Sequence, residues 1–255
     1  MQQDQVIIEN LLASYFYKPS TQANAQTLLF LHGWRSQKEV WNTIINSVSE
    51  HSAVSVYALD LPGFGQSQTP RQPFSVGDYA NMVRKFIEKK QISNVILIGH
   101  SFGGRVGIKL AVKSPNLVAK LVLVDSAGFV TSSTKKNFIM GMAKIVKPIF
   151  RLGFMQIFRK KIYQHLGAED YTATPELKET FIKVVSEDLS EDMKKITCPT
   201  LIVTGEHDTD TPVQFGERMH GLIKNSQFEI LKQAGHFSFV DKPQEFITLL
   251  TQFSL

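Results

Sequence analysis

The chain is poor in cysteine, with one, Cys198, among 255 residues. No intramolecular disulfide can form, so the fold rests on its core. A lone thiol just before Pro199, at the start of a strand pattern, reads as packing. Long apolar runs are missing as well. No segment approaches the roughly 20 apolar residues of a membrane span. The opening Met1-Gln2-Gln3-Asp4-Gln5 lacks the basic cluster and apolar stretch of a secretory leader. A reduced, cytoplasmic setting is the expectation. No His, Cys, Asp and Glu residues recur at metal-ligand spacing, so no metal and no other cofactor is expected. Repeats and low-complexity tracts are absent.

What is present suits one domain with an insertion: 43% of the residues are hydrophobic, enough for a sizeable core. Val6–Glu9 and Leu11–Tyr17 read as two antiparallel strands. Apolar runs at Thr27–Leu31, Val54–Leu59, Val95 onward, Leu121–Val124, Leu201–Gly205 and Phe228–Leu231 read as buried strands. Helical periods lie between them over Lys38–Ser49, Ser75–Lys90, Arg105–Lys113, Pro212–Ile223 and Pro243–Phe253. Ser75 is placed as the cap of its helix, with Asp78 completing a box-like pair. Strands and helices alternating at this spacing predict a mostly parallel sheet covered on both faces. The rhythm breaks at Gly128. From there to about Lys195 only helical patterns occur, at Phe138–Val146, Ile149–Tyr163 and Pro175–Val185. The organisation expected is a core of residues 1–128 and 196–255 with an all-helical cap, residues 129–195, inserted after the strand that ends near Asp125.

The stretch around which the rest is organised is Val95-Ile-Leu-Ile-Gly-His-Ser-Phe-Gly-Gly104. A buried strand runs straight into Gly99-x-Ser101-x-Gly103 and then into a helix. A serine at such a turn projects its hydroxyl above the sheet, and the flanking glycines let strand and helix backbones approach. The Phe102 amide would lie at a helix N-terminus, aimed at an oxyanion.

Four motifs in order, Leu31-His32-Gly33-Trp34, Asp60-Leu61-Pro62-Gly63-Phe64-Gly65-Gln66-Ser67, Gly99-His100-Ser101-Phe102-Gly103-Gly104, and Gly205-Glu206-His207-Asp208 with Gly235-His236, resemble those of the α/β-hydrolase fold. The resemblance runs from about Thr27 to the C-terminus, most of the cap excepted. It implies a triad of Ser101 as nucleophile, Asp208 as acid and His236 as base, in the family's chain order. It also implies an oxyanion hole made by the backbone amides of Trp34 and Phe102. Asp125 and Asp210 are rival acids, each near the end of a strand. His32, His100 and Phe237 are expected to line the substrate site, although His32 and His100 also read as structural. Asp60 is expected to anchor its own turn.

The serine excludes the branches of this fold that place an aspartate at the elbow, the haloalkane dehalogenases and epoxide hydrolases. Carbon–carbon bond hydrolases resemble the scaffold but usually follow the histidine with tryptophan, where this chain has Phe237. The reading is a serine hydrolase cleaving an ester or thioester of a small-to-medium, partly apolar substrate. Alternatives are a carbon–carbon hydrolase of a dienoate-type substrate, or a receptor that keeps the triad. A small molecule, not a nucleic acid, is the expected partner, and the chain is expected to be a monomer or homodimer. Between Thr131 and Lys161 stand eight Lys and Arg residues and no Asp or Glu, interleaved with apolar side chains. The plain reading is a cap helix pair, apolar toward the pocket and solvated by its lysines outside; the sharper alternative is contact with an anionic lipid surface or an anionic substrate.

Overall fold

A computed structural model describes residues 1–20, 22, 25–51, 54–130 and 175–254. The described strands, β1 (Gln2–Ile8), β2 (Leu11–Lys18), β3 (Thr27–Leu31), β4 (Ser55–Leu59), β5 (Val95–His100), β6 (Val118–Val124), β7 (Thr200–Gly205) and β8 (Ser226–Leu231), form one sheet. Their order is β1-β2-β4-β3-β5-β6-β7-β8. β2 is antiparallel to both its neighbours, and the pairs from β4 to β8 are parallel. This is the mostly parallel α/β sheet that the alternating pattern predicted.

The central strands are buried throughout, so their alternation divides residues between two apolar layers. In β3, Leu29 and Leu31 join the layer that holds α2 (Val76–Lys89) and α3 (Phe102–Lys113). Leu28 and Phe30 join the opposite layer, with α1 (Asn42–His51) and a closing helix, Pro243–Ser254. The capping box of α2 forms as expected. The Asp78 amide donates to Ser75 Oγ at 3.2 Å, and the Ser75 amide donates to the Asp78 carboxylate at 2.7 Å.

Several boundaries differ from the sequence expectation. β1 begins at Gln2 instead of Val6, because pairing with β2 satisfies the backbone of four residues that carry no apolar signal. The helix expected over Lys38–Ser49 opens as a 3-10 turn, Lys38–Trp41. α3 starts at Phe102, three residues before Arg105. The four-residue helix Ser238–Asp241 was not foreseen, being too short for a periodic pattern.

The helical expectations for Phe138–Val146 and Ile149–Tyr163, and the basic segment, lie outside the described residues. The end of the expected insert is described and is helical: a 3-10 turn Pro175–Leu177, α4 (Lys178–Ser186) and α5 (Ser190–Met193). Leu177, Val184, Leu189 and Met193 are buried in the layer of α2 and α3. Arg105 of α3 ties the two ends of the insert together, donating to the Glu187 carbonyl at 2.7 Å and the Phe129 carbonyl at 3.4 Å. Lys109, one turn on, pairs with Glu187 at 2.7 Å and Asp192 at 2.6 Å.

Strand order reverses between β3 and β5, since the chain runs from β3 outward to β4 and then returns to the other side of β3. The carboxyl ends of parallel strands at such a point leave a crevice between diverging loops. The loops after β3, β5, β7 and β8 carry Trp34, Ser101, Asp208 and His236.

Candidate active site

Ser101 joins β5 to α3 with φ +50° and ψ −106°, a conformation that L residues rarely adopt. Neighbours on three sides hold it. Its amide donates to the Val124 carbonyl at 3.0 Å, and its own carbonyl accepts from Gly104 at 3.1 Å and Ala127 at 3.2 Å. A side chain on Gly99 would collide with the Gly103 carbonyl, and one on Gly103 with the Leu31 carbonyl. Those close approaches are why the turn requires glycine two residues before and after the serine.

The Ser101 hydroxyl lies 3.1 Å from His236 Nε2, and His236 Nδ1 lies 2.9 Å from Asp208 Oδ2. The Asp208 carboxylate can only accept, so the ring proton belongs on Nδ1. The Nε2 lone pair is then free to take the serine proton. Asp208 is itself fixed by an Asx-type turn. Oδ1 accepts the amides of Asp210 and Thr211 at 2.8 and 2.9 Å, and Oδ2 accepts the Thr211 hydroxyl at 2.6 Å. Thr211 escaped the sequence reading, though an aspartate followed three residues later by threonine is a legible turn signal.

Burial alone would lower the pKa of His236. The hydrogen bond and charge of Asp208, with Asp210 and Asp125 behind it, outweigh burial and hold the ring above the ordinary 6.5. Asp208 is pushed up by burial but drawn further down by the bond and charge of His236 and the Thr211 donors, so it stays below the usual carboxylate value. An imidazole base held above its ordinary value beside an ionised acid is the arrangement that activates a hydroxyl.

The rival acids stand elsewhere. Asp125 is buried and gives both oxygens to donors other than His236. Asp210 has a side chain 70% exposed and comes no nearer than 4.0 Å, on the Nε2 side of the ring. Of the three carboxylates, Asp208 is the one that meets Nδ1.

On the other side of Ser101, the loop after β3 lies close against the elbow. A side chain on Gly33 would stand 2.8 Å from His100 Nδ1 and 3.4 Å from the Ser101 Cβ. Neither the Trp34 nor the Phe102 backbone N–H takes an acceptor among the described residues. The Trp34 ring packs edge-on to Phe64 at 4.8 Å and Phe102 at 5.2 Å, and lies 5.1 Å from Phe181 of α4. This makes an aromatic wall beside the serine.

Two of the expected substrate contacts, His32 and His100, are buried side chains bonded to the backbone. His32 has no exposed surface. One ring nitrogen bonds to the Gly33 carbonyl at 2.7 Å, and the other accepts the Leu61 amide at 3.0 Å, so it fastens two loops together. His100 is also buried. Its Nε2 donates to the His236 carbonyl at 2.7 Å, and burial, ahead of the charge of His236, drives its pKa down to about 3. It supports the backbone of His236 from below. Both side chains lie inward because β3 and β5 are central strands covered on both faces, His32 directly following the one and His100 closing the other. Phe237 is 41% exposed beside His236. Asp60 anchors its turn as expected, accepting the Gln66 amide at 2.9 Å. It also forms an unforeseen, fully buried ion pair with Lys38 at 2.7 Å. Among the described residues no three His, Cys, Asp or Glu side chains gather as a metal site, and no helix is long and apolar enough to cross a membrane.

Residues 28–249 match the model of the alpha/beta hydrolase family. An uncharacterized hydrolase of Bacillus subtilis, YugF, is 27% identical, covering 90% of each chain. The pimeloyl-[acyl-carrier protein] methyl ester esterase of Nitrosomonas europaea is 23% identical over 89% of this chain and 95% of its own. Among solved structures, a bacterial membrane phospholipase A superposes with a TM-score of 0.79 at 25% identity, over 99% of this chain and 85% of that one.

Proposed function

The chain belongs to the alpha/beta hydrolase family and is a hydrolase, and we propose that it cleaves carboxylic esters of partly apolar acyl substrates through an acyl-enzyme on Ser101. The observation that carries this reading is the bonded series Ser101 Oγ, His236, Asp208, with 3.1 and 2.9 Å between its members and the serine held at a strained turn. The aromatic wall of Trp34, Phe64, Phe102 and Phe181 favours an apolar acyl or alcohol portion. Relatives named for methyl ester and phospholipid hydrolysis are consistent with an ester.

In this mechanism Ser101 Oγ attacks the ester carbonyl carbon as its proton passes to His236 Nε2. The carbonyl oxygen becomes an oxyanion, received by the amides of Trp34 and Phe102. Asp208 stabilises the imidazolium and keeps its orientation. When the intermediate collapses, the bond to the alcohol oxygen breaks and Nε2–H protonates it. A water then gives its proton to His236 and attacks the acyl-enzyme, releasing the acid and restoring the serine.

Hydrolysis of p-nitrophenyl butyrate tests the reading. Many turnovers per chain are expected, with Ser101→Ala and His236→Ala each lowering kcat by roughly 10⁴ or more. A single equivalent of p-nitrophenol per chain would favour the receptor reading, and no release at all would set the ester reading aside.

A further inference from the structure

We propose that Asp125 is a positioning residue of the hydrolytic centre, a yoke whose carboxylate joins the loop bearing Asp208 to the loop bearing His236 and keeps acid and base in register. This rests on the roles just assigned to Ser101, His236 and Asp208. Asp125 follows β6, at the carboxyl edge of the sheet. Its Oδ1 accepts the Gly205 amide at 2.8 Å, and Gly205 closes β7 three residues before Asp208. Its Oδ2 accepts both the amide and the hydroxyl of Ser238, at 2.9 and 2.7 Å, two residues after His236. The backbone joins in. The Asp125 carbonyl lies 2.9 Å from the Thr211 hydroxyl and shares that hydroxyl's one proton with Asp208 Oδ2, at 2.6 Å.

Two further features set this residue apart from an ordinary strand terminus. Its φ of +45° is a strained conformation for a non-glycine residue and persists only where surroundings over-determine it. Its carboxyl has no exposed surface, and burying such a group is costly unless donors surround it. The carboxyl's donors stand at the edges of the loops that carry the proposed acid and base, Gly205 at the end of β7 and Ser238 at the start of the short helix. A terminus serving only to end a strand needs none of this.

Burial lifts the Asp125 pKa to about 7 against the opposing bonds from Ser238 and Gly205, with Asp208 adding to the rise. Charge on Asp125 is one of the influences that hold His236 above its ordinary value, together with Asp208 and Asp210. Loss of the yoke therefore has a signature besides rate: the rising limb of kcat/KM against pH moves to lower pH.

The experiment measures kcat, KM and the pH profile with p-nitrophenyl butyrate for Asp125→Asn, Ser238→Ala, the double variant and Asp208→Asn. Rates are normalised to sites titrated with a p-nitrophenyl phosphonate. For Asp125→Asn, kcat should fall by roughly 10–100-fold, the scale seen when a group that orients an active residue is lost. KM should change by no more than about twofold, with the limb displaced to lower pH. Ser238→Ala should move kcat and limb the same way by less, and the double variant should be no worse than Asp125→Asn, because both changes act on one link. A folded Asp125→Asn with parental kcat and an unmoved limb overturns the proposal. Should that variant not fold, Ser238→Ala decides, and parental values there overturn it equally. Asp208→Asn separates the two layers of inference: if it too stays fully active, the assigned triad has failed, and if it alone is inactive, the triad stands without the yoke.

Discussion

At Ser101, His236 and Asp208 the local chemistry fixes both protonation and its pH range. In the proposed mechanism the uncharged imidazole is the active form, and Asp208 raises its pKa above the ordinary 6.5 in spite of burial. Activity must then rise with pH, its midpoint in kcat/KM lying above 6.5 and falling when Asp208→Asn removes the raising charge. A pH–rate profile checks this, and a wild-type midpoint at or below 6.5 would contradict it. Lys38 and Asp60 give a second residue-scale test. Both are fully buried and 2.7 Å apart. Asp60→Asn strands an ammonium in the interior, a change worth about 3–5 kcal/mol. Because Glu39 stays 3.1 Å from Lys38, the loss should lie near the lower figure, read by urea unfolding. Lys38→Met added to Asp60→Asn should recover part of it, and a single-variant loss under about 1 kcal/mol, typical of an exposed pair, would contradict the assignment. The elbow serine and its glycines were legible because their constraint is local, a turn within five residues. Lys38 was not: nothing in Lys38-Glu39-Val40-Trp41 says that its ammonium turns inward to meet a carboxylate 22 positions away. The bonds that His32 makes to the Leu61 amide and His100 to the His236 carbonyl were hidden for the same reason, their partners being backbone groups of other loops.

Among the elements, α3 does more than follow the serine. Its first turn presents the Phe102 amide, and its second and third turns grip the insert through Arg105 and Lys109. Arg105 is almost wholly buried, which lowers its pKa to about 10 while leaving it charged at neutrality. Arg105→Met keeps much of the packing but leaves the Glu187 and Phe129 carbonyls without their donor. The expected cost is about 1–3 kcal/mol. A fall in midpoint temperature of roughly 2–4 °C per kcal/mol would register it, and an unchanged transition would mean the two ends of the insert need no such tie. Element types were readable along most of the described core, since β3 and β5 are unbroken apolar runs and α2 carries its cap in Ser75-Val76-Gly77-Asp78. The short helix Ser238–Asp241 was hidden. It exists because Asp125, more than 110 residues away, holds its first residue.

For the molecule as a whole, the reversal of strand order between β3 and β5 gathers loops from opposite ends of the sequence at one edge of the sheet. Ser101 and His236 are 135 positions apart and meet at 3.1 Å because their strands are parallel and end on the same side. Order of motifs made that meeting legible in advance. The choice among Asp125, Asp208 and Asp210 needed the fold itself, since all three carboxylates follow strands on that edge.

The central claim, that Ser101 is the nucleophile of a hydrolase centre served by His236, is tested most directly by labelling with a p-nitrophenyl phosphonate followed by intact-mass and peptide analysis. One phosphonyl group per chain should appear, on Ser101, with esterase activity lost in proportion and no labelling of Ser101→Ala. Turnover that persists in Ser101→Ala, or inactivation with the label on another residue, would contradict the account.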